Sequence, residues 1–253
     1  MAMRKINRKE FEQKYTELLK ELVDFFDEQS ITYALAYGTL LGAYRDKKMI
    51  EWDVDIDLYI NDNDLNKIIN KTFKDCFLQT YKKNELRFYL SRIVSKRLFY
   101  SFDGGVTLNP CHIDLFSFVG LKDENKTKRK VRSIRRLVRW YEIKTWKHQS
   151  RNGFIGFFKP IISSFLPSFK RINKRGLNIC NKLVGGNEIL GGYSFVRYLP
   201  FSDIDSELEF GDYKFKVFNN HKEYLELVFG PDYMTPKKDP RFDIDKIEYF
   251  ILP

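Results

Sequence analysis

Between Asn7 and Gln29 apolar side chains return at steps of four and three, at Phe11, Tyr15, Leu18, Leu22 and Phe25. This is the spacing of an amphipathic helix that packs one face on a domain. Ile31 to Tyr37 is a short apolar run that reads as a strand, which Gly38-Thr39 breaks into a short helix through Tyr44. From Asp53 to Ile60 the period becomes two: Asp53, Asp55 and Asp57 take one face of a strand while Val54, Ile56 and Leu58 take the other. Asp62 or Asp64 is placed to cap a helix carrying Leu65, Ile68, Ile69 and Phe73. Three β-rich runs follow, near Phe77 to Tyr81, Leu86 to Val94 and Leu98 to Phe102, ending in the Asp103-Gly104-Gly105 turn. Cys111 to Val119 reads as another strand, and His221 to Phe229 as a helix stopped by Gly230-Pro231.

The middle of the chain has a different character. Residues 122–175 hold 17 Lys and Arg against three acids, a surplus of +14 that leaves the remainder of the chain at −4. A long basic helical stretch is expected there, followed by a segment in which Phe154, Phe157, Phe158, Ile161, Ile162 and Phe165 share one helical face interrupted by Pro160 and Pro167. Two readings stay open for residues 153–169: a hairpin packed on the protein's own core, or a segment lying in a membrane interface with its basic flanks at the headgroups. The band as a whole suits a polyanion or an anionic membrane surface. A nucleic-acid enzyme is disfavoured, because single-strand platforms usually carry their aromatics on strands.

With 253 residues the chain is long enough for one elaborated domain. The expected division is a catalytic core with its N-terminal helix over residues 1–120, a basic, partly amphipathic helical insertion over 121–185, and a return to the same catalytic domain over 186–253. No uninterrupted apolar run of roughly 18 residues is present, and no apolar stretch follows the charged start MAMRKINRKEFEQ. Cys76, Cys111 and Cys180 are odd in number, widely spaced and without CxxC pairing, which fits unpaired thiols in a reducing compartment. A cytoplasmic protein is expected, peripheral at the inner face of the membrane if the basic band binds there.

The chemistry is concentrated between Tyr37 and Asp57. Three carboxylates on one face repel one another, and a divalent cation with oxygen ligands is the usual remedy; magnesium is expected, with manganese as the other ion that suits such ligands. Gly38 allows backbone N–H groups to approach a phosphate at a helix N-terminus, and the Thr39 hydroxyl adds a hydrogen-bond donor. Asp114 is flanked by the apolar Ile113 and Leu115, so by alternation its side chain points away from them. Arg45, late on the short helix, is within reach of Asp46 or Glu51 as a clamp.

The run Gly38 to Asp57, GTLLGAYRDKKMIEWDVDID, resembles two patterns. Its spacing of strand, glycine with a small hydroxyl, short helix and acid-x-acid strand is similar to the nucleotidyltransferase superfamily of the DNA polymerase β type. Its residues resemble more narrowly the LicD family, with the eukaryotic relatives fukutin and fukutin-related protein, as do His112-Ile113-Asp114-Leu115-Phe116 and Phe229-Gly230-Pro231-Asp232-Tyr233-Met234-Thr235-Pro236. Many bacterial members carry a further Asp where this chain has Val54. The resemblance implies an α+β, nucleotidyltransferase-like mixed-sheet core. It also implies a magnesium-dependent phosphotransferase in which Asp53, Asp55, Asp57 and Asp114 hold metal and catalyse, and Gly38, Thr39 and Arg45 grip the donor phosphate. The substrates it implies are a CDP-activated alcohol, foremost CDP-choline with CDP-ribitol or CDP-glycerol beside it, and a sugar hydroxyl of a glycan or lipid-linked glycan, with CMP released. The expected general base is Asp57 or Asp114. The competing reading is a nucleotidyltransferase that adds NMP from an NTP to a small molecule.

Overall fold

The computed structural model describes residues 3–83, 90–118, 188–191, 197–200, 203–237 and 246–253, with isolated positions between 168 and 178. The basic band 122–175, the aromatic segment 153–169 and Cys180 lie outside the described residues, apart from a few of those positions. The chain separates into two compact units, one made of residues 1–79, 91–117 and 201–253 and the other of 80–90 and 118–200.

In the first unit, α1 (Arg8–Glu28) starts at Asn7, whose side-chain oxygen accepts from the Glu10 N–H at 2.9 Å. The buried stripe of α1 is Phe11, Tyr15, Leu19, Leu22, Val23 and Phe26. Leu18 and Phe25, expected at its centre, sit half-buried at its margin, because a 100° step per residue brings Leu19 and Phe26 under the helix once Phe11 and Tyr15 are fixed. Two short strands follow from the chain termini: β1 (Arg4–Ile6) pairs antiparallel with the last strand, Glu248–Ile251. Neither was legible as a strand from its own three or four residues.

The central elements are β2 (Tyr33–Leu35), α2 (Tyr37–Arg45), β3 (Ile56–Asn61), α3 (Asp62–Ile68), β4 (Cys76–Thr80), β5 (Leu90–Ser101) and β6 (Asn109–Phe118). Among the described residues, seven strands make one mixed sheet in the order β1, β11 (Glu248–Ile251), β5, β6, β3, β2, with β4 also paired to β5. The fold is therefore α+β. Helix α3 is capped by the Asn61 side chain, which accepts from Asn63 N–H at 3.0 Å; Asp62 and Asp64, expected as caps, fall in the first turn, where their charge favours the positive end of the helix. The helix stops at Ile68, short of Phe73, which instead meets Phe25 edge to face at 5.5 Å.

The C-terminal part contains two antiparallel pairs, β7 (Glu188–Gly191) with β8 (Arg197–Pro200) in the second unit, and β9 (Ser206–Phe210) with β10 (Tyr213–Val217) in the first. The latter hairpin turns at Gly211, whose N–H donates to the Lys47 carbonyl at 2.8 Å and so ties it to the loop after α2. Helix α4 (His221–Phe229) ends at Gly230, as its sequence predicts. No described helix is long and apolar enough to cross a membrane.

Candidate active site

The ladder of β3 begins at Ile56, so Asp53 and Asp55 belong to the loop feeding the strand and Asp57 to the strand itself. The alternation nevertheless persists through the loop, with Val54, Ile56 and Leu58 buried and the three acids on the other side. Strand β6 lies beside β3 in the sheet and brings in Asp114, whose side chain is completely buried. Asp55, Asp114 and His112 place ligand-type atoms within 4.8 Å of one another. Asp53 and Asp57 lie outside that group of three but act electrostatically on the same carboxylates.

Burial and mutual repulsion act together on the carboxyls of this cluster. Burial, then the neighbouring Asp55, pushes the Asp53 carboxyl well above the ordinary range. Burial, followed by Asp55, Asp114 and Asp53, does the same to Asp57. Asp114 is also raised by burial, against the opposing pull of Arg92, whose Nε and Nη2 donate to its two oxygens at 2.6 and 3.2 Å. Asp53 and Asp55 are within hydrogen-bonding reach of each other, which two ionised carboxylates tolerate only with a shared proton or a cation between them. Half-buried and buried oxygen ligands gathered in this way, with one imidazole beside them, fit a divalent cation.

Helix α2 presents its N-terminus to the same place. A Cβ added at Gly38 would lie 2.6 Å from Asp53 Oδ2, so a side chain there would displace that carboxylate from the helix start. Gly42 is equally constrained, since a Cβ there would sit 2.5 Å from the Lys48 carbonyl, which lets the loop after α2 fold back along it. The Thr39 side chain is turned inward: its oxygen accepts from Asp57 N–H at 2.8 Å, and the residue is 3% exposed. Thr39 thus joins α2 to β3, and what reaches outward at this turn is backbone. Arg45 clamps Asp46 through Nε and Nη2 at 2.8 and 2.6 Å, and it lines a pocket of about 370 Å³ together with Gly38, Asp53 and Asp55.

Several residues outside the expected set hold these groups in place. Arg8, at the start of α1, donates through Nη1 to the Asp53 carbonyl at 2.9 Å and to the Tyr249 phenol at 2.8 Å, and through Nη2 to the Ile50 carbonyl at 3.1 Å. A cation in the first turn opposes the helix dipole, the one hint in the sequence that Arg8 serves something else. Tyr15 on α1 both donates to the His112 carbonyl and accepts from its N–H, at 2.5 and 3.1 Å, fixing β6 where it carries His112 and Asp114. Tyr224 on α4 accepts from the Tyr37 N–H at 3.3 Å and hydrogen-bonds Tyr59 at 3.1 Å. It thereby satisfies one of the N–H groups that helix geometry leaves open. Tyr37 itself has φ of 40°, a left-handed conformation costly for a non-glycine residue and held by its surroundings.

Comparison with known proteins agrees with the motifs. Residues 30–154 match the family model described as "LicD/FKTN/FKRP, nucleotidyltransferase domain". The chain is 25% identical over 245 residues to the lipopolysaccharide cholinephosphotransferase LicD of Haemophilus influenzae, covering 87% of this chain and 91% of that one. With the Gly38 turn, the Asp53-x-Asp55-x-Asp57 run and the His112-Ile113-Asp114 strand brought to one site, these matches identify residues 30–154 as a LicD-family domain.

Proposed function

We propose that this protein is a magnesium-dependent phosphotransferase on a nucleotidyltransferase-type core. It moves phosphocholine, or a related phospho-alcohol such as ribitol phosphate or glycerol phosphate, from a CDP-activated donor to a sugar hydroxyl of a cell-surface glycan precursor. The observation that carries this reading is the convergence of Asp53, Asp55, Asp57 and Asp114 beside the α2 N-terminus, with the Asp53 carboxylate closed against Gly38. The relative named for cholinephosphotransferase activity makes choline the first alcohol to try.

Asp53, Asp55, Asp57 and Asp114, with His112 at hand, would hold the cation. When bound it neutralises phosphate oxygens and eases departure of the leaving group. The α2 backbone at Gly38 and Thr39 orients the donor pyrophosphate, and Arg45 offers a charge-assisted partner beyond it. The acceptor hydroxyl oxygen forms a bond to the alcohol-bearing phosphorus as the bond from that phosphorus to CMP breaks, and the hydroxyl proton passes to a carboxylate. Asp57 is the better placed of the two candidate bases, because Arg92 donates to both Asp114 oxygens. Glycan or lipid-linked acceptors at the cytoplasmic membrane face, met through residues 122–175, complete the proposal.

The test is chromatography of nucleotide products after incubation with Mg²⁺, a glycan acceptor and one of CDP-choline, CDP-ribitol, CDP-glycerol or CTP. CMP from a single CDP compound supports the reading and names the alcohol. Pyrophosphate from CTP alone overturns it in favour of NMP transfer.

A further inference from the structure

Beside the carboxylates lies the pocket of about 370 Å³ bordered by Gly38, Asp53 and Asp55. Its walls are aromatic: Trp52 from the loop before β3, and Phe229 and Tyr233 from the end of α4 and the turn that follows. Phe229 is 37% exposed and Trp52 and Tyr233 are half-buried, so all three keep accessible surface. Two cations complete the lining. Arg45 is 8% exposed and oriented by its pair with Asp46, while Lys237 stands at the rim, 63% exposed, paired with Asp232.

We infer that this pocket seats the nucleoside monophosphate half of the donor, the part that leaves, with the base between Trp52 and the Phe229–Tyr233 wall and its phosphate toward Gly38, Arg45 and Lys237. The inference rests on the CDP-donor reading and gives a role to the Phe229 to Pro236 motif, which the carboxylate chemistry does not use. The choice between the two halves of the donor follows from charge and size. Asp53 and Asp55 border the same space, but with a divalent cation on those carboxylates the charges left to the pocket are the Arg45 guanidinium and the Lys237 ammonium; a quaternary ammonium gains from the ring faces but not from these two, whereas a phosphate is attracted to both. The volume lies in the range of cavities that enclose a whole ligand of nucleoside size, and is generous for a trimethylammonium group. A planar base is what paired aromatic walls stack best.

The experiment is calorimetric titration of the full chain with CMP, cytidine and phosphocholine, each alone with Mg²⁺, for wild type, Trp52→Ala, Trp52→Phe and Lys237→Ala, each variant checked by thermal melting. The expected result is that Trp52→Ala weakens CMP and cytidine alike by roughly tenfold or more. Trp52→Phe should keep most of the affinity, and Lys237→Ala should weaken CMP about three- to tenfold but leave cytidine unchanged. Phosphocholine binding should be the same in all four proteins. CMP bound equally by wild type and all variants overturns the pocket assignment and leaves the donor reading standing. Loss of phosphocholine rather than CMP affinity in Trp52→Ala assigns the pocket to the alcohol and overturns the inference. Absence of CMP binding by the wild type removes both.

Discussion

Asp57 is held on β3 among three other carboxylates, and its burial costs the folded protein something whenever it is ionised. Its folded pKa is raised above the unfolded value, so the stabilising form is the protonated one. That contribution is present below the ordinary carboxylate pKa of roughly 4, and is lost as the pH rises through the raised value. Asp53 titrates in the same direction. In the metal-free protein the contribution of these two groups to stability should therefore fall as the pH rises from about 4 through their raised pKa values. Asp57→Asn should flatten that slope and raise the melting temperature in EDTA at pH 7, while abolishing the gain on adding Mg²⁺. Melting curves across this range for the two proteins, with and without metal, check the prediction; an unchanged slope in the variant contradicts it. Gly38 makes the complementary point. Adding one methyl group forces Asp53 Oδ2 from a position 2.6 Å away, and a displacement of that order costs roughly 100-fold in rate where groups must be aligned. Gly38→Ala should keep a cooperative melt and lose turnover to that extent.

At the level of elements, α2 is the hinge of the account. It is joined to β3 by the Thr39 oxygen, to α4 by the Tyr224 phenol and to the returning loop by the close approach at Gly42. The loop itself is held by Arg8 from α1 and, behind it, Tyr249 from β11. Arg8→Ala leaves two carbonyls and a phenol without their charged donor, at a cost of about 2–3 kcal/mol in stability. It should also lower turnover, because the Asp53 backbone is released. Arg8→Lys, retaining a charge but not the fork, should fall between. Urea melts and rates on the three proteins decide this, and full turnover in Arg8→Ala would exclude a positioning role.

The extent to which the sequence was legible follows from the same contacts. Helix α1 and the alternation through β3 were readable because each carries its own period over seven or more residues, and α2 and α4 because glycines mark the start of one and the end of the other. The acid cluster was readable because alternation alone assigns its side. The terminal strands β1 and β11 were not, because three or four residues have no period and their pairing joins opposite ends of the chain. Thr39 was expected to face the ligand and faces the core, since a hydroxyl at a helix start is equally useful to a neighbouring strand. Arg8, Arg92 and Tyr224 act through partners 22 to 241 positions away, a relation that local pattern does not carry.

For the whole molecule, the segment matching the LicD/FKTN/FKRP domain, residues 30–154, is incomplete as a site. Arg8 and Tyr15 come from before it, and Tyr224, Phe229, Tyr233 and Tyr249 from after it, so residues on both sides of the matched segment complete the site around the acids it supplies. Those acids carry the central claim, that phosphorus leaves a CDP-activated donor for a glycan hydroxyl at this carboxylate cluster. Its most direct test is phosphorus NMR of the full chain with Mg²⁺, CDP-choline and a lipopolysaccharide acceptor, beside an Asp55→Asn protein of equal melting temperature. The predicted result is decay of the pyrophosphate resonances with matching growth of CMP and of a new phosphodiester in the glycan fraction, all absent in Asp55→Asn. The same spectrum from both proteins, or an unchanged donor in the wild type, would contradict the account.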